Sequence, residues 1–265
     1  MKSKVALLCL GLAGTAFSMD EYLPVQQGKL EVDLGYSFVK YTGGFDGDGE
    51  RQSWEDVGFP SDYSPVLHNL GVQLKYGVAA GLDVELALIA VTSNDDADYS
   101  GFYRPEIGVK YANPAMKGAG VYANVALPFS GGDVDIPGTG TSLELGGVYQ
   151  NRFGDFRMTG RAGYMLNLES DDVKNGNTLL LYLKPEAMWT EYIGTYLGVQ
   201  FMQAGETEIN GTGFDDAGHH LAVVPGLNVQ LTEKLAYEVN VPISVLGKNS
   251  DAAWGVTAQL YVTLP

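Results

Sequence analysis

Leu70 opens a stretch that reads LGVQLKYGVAAGLDVELAL, ending at Leu88. On either side of a Val-Ala-Ala-Gly turn every second residue is apolar: Leu70, Val72, Leu74 and Tyr76, then Leu82, Val84, Leu86 and Leu88. Gln73, Lys75, Asp83 and Glu85 fill the beat between them. Period two is the side-chain period of a β-strand, whose successive Cβ atoms point to opposite faces. A hairpin of this kind lays one face on a core and the other in water, or one face in lipid and the other against a polar lumen.

The same alternation recurs near 28–41, 66–78, 81–92, 102–112, 120–130, 142–151, 155–168, 178–190, 194–204, 219–231, 234–246 and 253–264, while no window carries a helical period. Twelve is an even number, and each segment is long enough for a tilted strand to cross a membrane. The connections are sorted. Those at 42–65, 93–101, 131–141, 169–177, 205–218 and 247–252 are mostly long, polar and acidic. Those around Ala79-Ala80, Asn151-Arg152, Glu191-Tyr192 and Thr232-Glu233 are tight, with a slightly longer one at 113–118. Long loops on one side and short turns on the other are expected of an outer-membrane barrel, and a soluble sandwich has no reason to show them. The expected fold is therefore all-β: a 12-stranded antiparallel up-and-down transmembrane β-barrel with a long loop at 42–65.

Aromatic placement agrees. On the apolar beat, Tyr76, Tyr111, Tyr149 and Trp189 sit at short-turn ends, while Phe38, Tyr103, Phe129, Phe201 and Trp254 sit near long-loop ends. Two such rings match the girdles found where lipid tails meet headgroups. Pro105, Pro185 and Pro225 fall inside strands, where proline has no N–H for the ladder, so bulges near the outer rim are expected there.

Residues 1–18 read MKSKVALLCLGLAGTAFS, a basic start, a short apolar run and an Ala-Phe-Ser ending. This is the pattern of a secretory signal peptide cut before Met19, leaving one barrel domain over 19–265. The only cysteine, Cys9, would leave with it, so neither a disulfide nor a thiolate nucleophile is expected. The formal net charge of −16 disfavours a nucleic-acid partner, whose phosphates would be repelled.

The inward beat holds Glu31, Asp33, Lys75, Asp83, Glu85, Arg104, Glu106, Lys110, Glu144, Arg157, Arg161, Lys184, Glu186 and Glu238. Neighbouring strands are complementary: Asp83 and Glu85 lie between strands carrying Lys75 and Arg104/Lys110, and Glu144 and Glu186 flank the strand of Arg157 and Arg161. One reading is an ion-pair network that fills and orders a narrow barrel. The other is a charged constriction that selects small solutes. Arg104-Pro105-Glu106 and Lys184-Pro185-Glu186 repeat a basic-Pro-Glu triplet and mark the best candidate grip on a solute.

Catalytic and metal signals are poor. The histidines are His68, His219 and His220, and neither G-x-S-x-G nor H-E-x-x-H occurs. A membrane-embedded hydrolase would need a lipid-facing Ser–His pair, and no serine is expected beside His68. Asp215-Asp216 with His219-His220 reads better as a solvated loop than as a metal site. Asp46-Gly47-Asp48-Gly49-Glu50 begins like a calcium loop, but Arg51 and Val57 occupy the positions needing glycine and a bidentate acid. That leaves at most weak divalent-ion binding, and no cofactor is expected.

GVYANVALPFSGGD (120–133) and PGLNVQLTEKLAYEVNVPISVLGKN (225–249) resemble the outer-membrane transporters assigned to the MetA pathway of phenol degradation. The shared features are a strand ending in Leu-Pro or Val-Pro and a late P-G-L-x-V-x-L-T hairpin. The resemblance spans about half the chain after residue 18 and implies a transporter-like barrel, without transferring substrate or binding residues. The C-terminus departs from the usual barrel ending, closing on Thr263-Leu264-Pro265 instead of an aromatic. The expectation is a passive outer-membrane channel or transporter for small, hydrophobic or aromatic solutes in a Gram-negative-type cell. It would be assembled by the barrel-assembly machinery, with outer-membrane lipid and small molecules as partners. The alternatives are a structural or surface-binding barrel with an ion-pair-filled lumen, and the membrane-embedded hydrolase.

Overall fold

The computed structural model describes residues 24–56, 58, 63, 65–93, 100–128, 131–132, 140–170 and 172–265. The expected leader at 1–18, with Cys9, lies outside them, as do Phe129 and the side chains of Tyr103 and Arg104. Twelve long strands follow one another: β1 (Leu30–Phe45), β2 (Val66–Ala79), β3 (Leu82–Ser93), β4 (Ser100–Tyr111), β5 (Ala119–Ala126), β6 (Ser142–Phe153), β7 (Phe156–Asn167), β8 (Thr178–Met188), β9 (Ile193–Ala204), β10 (Gly218–Thr232), β11 in two parts (Leu235–Asn240 and Ile243–Lys248) and β12 (Ser250–Leu264). Each runs antiparallel to the next, and β12 returns to pair with β1 from Leu30↔Leu264 to Phe45↔Ser250. Closure removes both sheet edges, whose unpaired backbone groups would cost several kcal/mol each in hydrocarbon.

The burial pattern is inside out. Asp83 and Glu85 are 0% and 7% exposed, while Val84, Leu86 and Leu88 between and beyond them are 44%, 40% and 42% exposed. The same inversion runs along β1, where Asp33, Ser37 and Tyr41 are buried and Leu34 and Tyr36 exposed. At about 25 cal/mol per Å² of apolar surface, a whole belt of this kind left in water would cost on the order of tens of kcal/mol. The outer face is built for an apolar solvent.

Several boundaries differ from the sequence expectation, each for a local reason. The turn expected at Asn151-Arg152 comes later, because β6 and β7 stay paired to Phe153↔Phe156 and Gly154 supplies the positive φ of 63°. The loop expected at 247–252 is a tight hairpin, since Asn249, at φ 47°, tolerates the left-handed region. The strand expected to run unbroken over 234–246 is interrupted at Val241-Pro242, where proline has no N–H for the ladder. Its outer part pairs with β10 but meets β12 in a ladder only at Ile243↔Trp254.

Only Pro105 sits at a bulge, between the pairs Ala87↔Glu106 and Ile89↔Tyr103. Pro185 and Pro225 keep register without one, correcting the expectation of a bulge at each. The β8–β9 ladder simply omits Lys184 and Pro185, and Pro225 uses its carbonyl to accept from the Val241 N–H at 2.9 Å.

At the long-loop end, Arg51–Gln52 folds back onto β1 and the Trp54 indole N–H donates to the Tyr41 carbonyl at 3.2 Å. Val173–Lys174, Glu208–Ile209 and Thr212–Gly213 form a small separate sheet.

Candidate functional site

The strand alternation turns nearly every charge on the inward beat into the interior, and there they pair. Lys75 on β2 bridges Glu31 at 3.0 Å and Asp33 at 2.5 Å, both on β1. Lys110 on β4 meets Glu85 on β3 at 3.0 Å, and Gln73 donates to the same carboxylate at 3.2 Å. Arg157 on β7 holds Glu186 on β8 at 2.5 Å. Lys75, Asp83, Lys110, Glu144, Arg161, Lys184, Glu186 and Glu238 are buried, whereas Arg157 and Glu106 are half-buried.

Two triads of one design stand in this region. In the first, Arg161 on β7 donates through Nη2 to both oxygens of Glu144 on β6, at 2.7 and 2.8 Å. Its Nε reaches the Tyr122 hydroxyl at 2.8 Å, its guanidinium lies 4.6 Å from that ring, and the hydroxyl donates to Glu144. In the second, Lys184 on β8 meets Glu238 on β11 at 2.8 Å and lies 4.5 Å from the Tyr196 ring, whose hydroxyl donates to Glu238 at 2.5 Å. Lys184 and Glu238 are not on adjacent strands, so this pair spans the interior. A desolvated ion pair is tolerable when further hydrogen bonds satisfy the carboxylate, and the tyrosines provide them.

Tyr122 and Tyr196 are the members that sequence reasoning missed. The signal is available in the sequence, since both occupy the inward beat, where a tyrosine can serve a buried carboxylate and not the membrane girdle. Glycine makes room for them. A Cβ at Gly163 would run into the Tyr122 hydroxyl and the Glu144 carboxylate, and one at Gly226 into the Tyr196 ring.

The inward face is not charged throughout. In the long-loop half, Val39, Tyr41, Phe45, Leu67, Ile89, Val91, Leu180, Met202, Ala222 and Val224 are buried, with Trp54 folded among the same elements. The interior toward the long loops is therefore mixed, these apolar side chains standing among the buried Ser37, Asn69, Gln200, His220, Ser244 and Asp251, whereas most of the ion pairs gather toward the short turns, a division that the simple alternation did not anticipate.

At the short-turn end, the segment preceding β1 lies on the lumen face of β2 and β3. The Val25 N–H donates to Asp83 at 2.9 Å, Gly28 N–H donates to the Gly77 carbonyl at 2.8 Å, and Gly77 N–H to the Lys29 carbonyl at 3.0 Å. Gly77 is required, because a Cβ would strike the Gln26 carbonyl.

On the outer face, Tyr76, Tyr111, Trp189 and Trp254 are exposed and Tyr149, Phe38 and Phe201 half-buried. Two of the first group have their polar handles met locally: Asn113 donates to the Tyr111 hydroxyl at 3.1 Å, and the Trp189 indole donates to Thr195 at 2.7 Å. The repeated basic-Pro-Glu triplets do not behave alike. Lys184 and Glu186 are fully buried in separate ion pairs, whereas Glu106 is half-buried and the Arg104 side chain is not described.

Among the described residues no cluster of three or more His, Cys, Asp or Glu could hold a metal. The Asp46 carboxylate is occupied by the N–H groups of Asp48 and Glu50 and by Gln52. His219 and His220 point to opposite faces. His220 makes a Ser–His contact with Ser244 at 2.8 Å, but inside the wall and not on the lipid-facing surface, with Ser244 also accepting the Ala253 N–H at 2.9 Å.

A closed twelve-stranded meander with an apolar exterior and an ion-paired interior defines a transmembrane β-barrel of the outer-membrane architecture. No protein-family model matches the chain, and no curated protein matches it in sequence. In fold it is similar to the COG4313 outer membrane channel from Pseudomonas putida F1, with a TM-score of 0.76 at 15% identity, covering 92% of this chain and 98% of that one. More distant likenesses are the Pseudomonas putida toluene transporter TodX (TM-score 0.53, 8% identity, 94% and 93% covered) and the translocator domain of the autotransporter NalP from Neisseria meningitidis (0.53, 10%, 96% and 94%). At these identities the likeness is one of fold. It agrees with the resemblance drawn from 120–133 and 225–249.

Proposed function

We propose that the protein is an outer-membrane channel or transporter for the passive passage of small hydrophobic or aromatic solutes, exported by its leader and inserted by the barrel-assembly machinery. The observation that carries this reading is the two-zone interior. The apolar side chains beneath the long loops, set among mostly neutral polar groups, suit a solute that gains from leaving water, about 4 kcal/mol for an aromatic ring burying roughly 150 Å². The ion-paired half offers such a solute nothing, and displacing a partner there leaves a buried charge. The axial path is thus unfavourable to an apolar solute beyond the middle of the barrel. Among the described residues, the ladder between the outer part of β11 and β12 is reduced to the single pair Ile243↔Trp254, and we assign the exit to this seam. The fold likenesses to a COG4313 channel and to a toluene transporter support the class of function.

Uptake of a radiolabelled monoaromatic by cells lacking other hydrocarbon channels tests the proposal. Ser244→Cys with Ala253→Cys places thiols where a hydrogen bond of 2.9 Å already joins the two residues. Oxidation is expected to abolish uptake and reduction to restore it. Uptake indistinguishable from cells without the protein would defeat the transport reading. Together with an absence of conductance in planar bilayers, that result would favour the second reading, a barrel plugged by its own ion pairs, which the burial of Lys75, Lys110, Lys184 and Glu238 supports.

A further inference from the structure

The cations outside the ion-paired region include Lys40, on the outer beat of β1, and Arg51, which reaches Thr42 two residues further along that beat. Val32, Leu34, Tyr36 and Phe38 carry the lipid-facing beat up the strand, and Lys40 and Thr42 continue it toward the long loops. Arg51, returning on the short strand that pairs with β1, donates to the Thr42 hydroxyl at 3.0 Å. Among the described residues neither Lys40 nor Arg51 has a carboxylate partner.

Just below them lies a connected aromatic plate. Trp254 is the cross-strand neighbour of Lys40, and its ring is 5.7 Å from Phe38. Phe38 meets the edge of His68 at 5.6 Å, and His68 Nδ1 shares a hydrogen bond of 2.7 Å with the Tyr36 hydroxyl. A histidine and a lysine on the lipid-facing beat, with an exposed arginine reaching Thr42 at the long-loop rim above them, run against both the polarity of that face and the chain's net charge of −16.

Position explains why they are tolerated. A cation on the outside of a barrel costs least near the interface, where its stem lies along apolar surface and its head reaches the headgroups. Tyr and Trp prefer the same level. Two cations, one with a planar fork suited to bidentate contact with phosphate, and a hydroxyl and an imidazole beneath them make a phosphate-recognising constellation.

We propose that this face of β1 and β2, at Lys40, Arg51 and His68 over the Tyr36–Phe38–Trp254 plate, binds the phosphate of an anionic lipid headgroup in the leaflet on the long-loop side. The inference rests on the outer-membrane reading above. The bound lipid would be annular, seated on the outside of the wall, and distinct from any solute in the lumen.

The test uses the full chain after leader removal, folded in detergent and titrated with a bisphosphorylated lipid A-type glycolipid, with phosphatidylcholine and with inorganic phosphate, bound lipid being counted by native mass spectrometry. The glycolipid is expected to be retained over phosphatidylcholine. Lys40→Gln with Arg51→Gln should weaken its retention roughly tenfold or more, as for the loss of one or two charge-assisted hydrogen bonds. Heat-modifiable mobility on gels checks that the variant is still a closed barrel, and Lys117→Gln with Arg152→Gln at the short-turn rim is the folded control expected to retain the glycolipid. Equal retention by the β1 variant, equal retention of phosphatidylcholine, or displacement by millimolar inorganic phosphate overturns the proposal. Insertion into phosphatidylcholine vesicles is scored separately. Failure to insert overturns the membrane reading and this inference with it, whereas insertion without headgroup preference overturns the inference alone.

Discussion

Consider removing one partner of the pair that spans the interior. Lys184 and Glu238 are 0% and 1% exposed and 2.8 Å apart. At an effective dielectric of about 20 their gross attraction is roughly 6 kcal/mol, most of it offset by desolvation. Lys184→Met leaves a buried carboxylate with the Tyr196 hydroxyl as one of its few remaining donors, which should cost about 3–5 kcal/mol. Glu238→Leu leaves a buried ammonium over the Tyr196 ring without its carboxylate and should cost a similar amount. The double variant, with both charges gone, should be less damaged than either single, so the coupling should exceed the larger single effect, at about 3–5 kcal/mol or more. In guanidinium unfolding from lipid vesicles, followed by tryptophan emission and gel mobility, each single change should lower the midpoint by about 0.5–1 M. Singles costing under about 1 kcal/mol, or strictly additive effects, would show a pair bathed in water, as at an exposed surface. The account of a sealed inner half would then be wrong.

Three other outcomes follow from the same geometry. Gly163→Ala pushes a methyl group into the Tyr122 hydroxyl and the Glu144 carboxylate; it should destabilise the barrel by about 1–3 kcal/mol, measured in the same unfolding assay, whereas Gly211→Ser, with nothing near its Cβ, should cost little beyond the strain of its positive φ. Deleting residues 24–27, or changing Asp83 to Ala to remove the acceptor of the Val25 N–H, should raise single-channel conductance in planar bilayers, because the segment lies on the lumen face at the short-turn mouth. Single-tryptophan variants in brominated-lipid vesicles should show quenching of Trp189 and Trp254, exposed on the outer face, and little of Trp54, which is buried; strong quenching of Trp54 would place the outer rim wrongly.

Much of the fold was legible because a barrel writes its geometry into the order of residues. The alternation around Lys75, Asp83 and Glu85 assigns each side chain to oil or interior without knowledge of its neighbours. Loop lengths sort the two ends. The exceptions lie where one local residue decides: Pro242 breaks β11, Asn249 tightens an expected loop, and Gly154 moves a turn. Pro185 is the reverse case, since only the register with β9 shows that the ladder can omit two pairs without a bulge.

The candidate site was half legible. Facing direction follows from parity, so Glu144, Arg161, Lys184 and Glu238 could be assigned to the interior one strand at a time. Which of them touch depends on how far the sheet is sheared when it closes, and no single strand contains that information. Lys184 therefore finds Glu238 on β11, beyond its own neighbours, and Tyr122 and Tyr196 become carboxylate donors only where glycines on adjoining strands leave space for their rings. The sequence by itself determined the period, and hence which side of each strand meets hydrocarbon. Closure of the sheet alone decided which charges pair and which side chains share the interior above them, because these depend on distances across a ring and not along a chain.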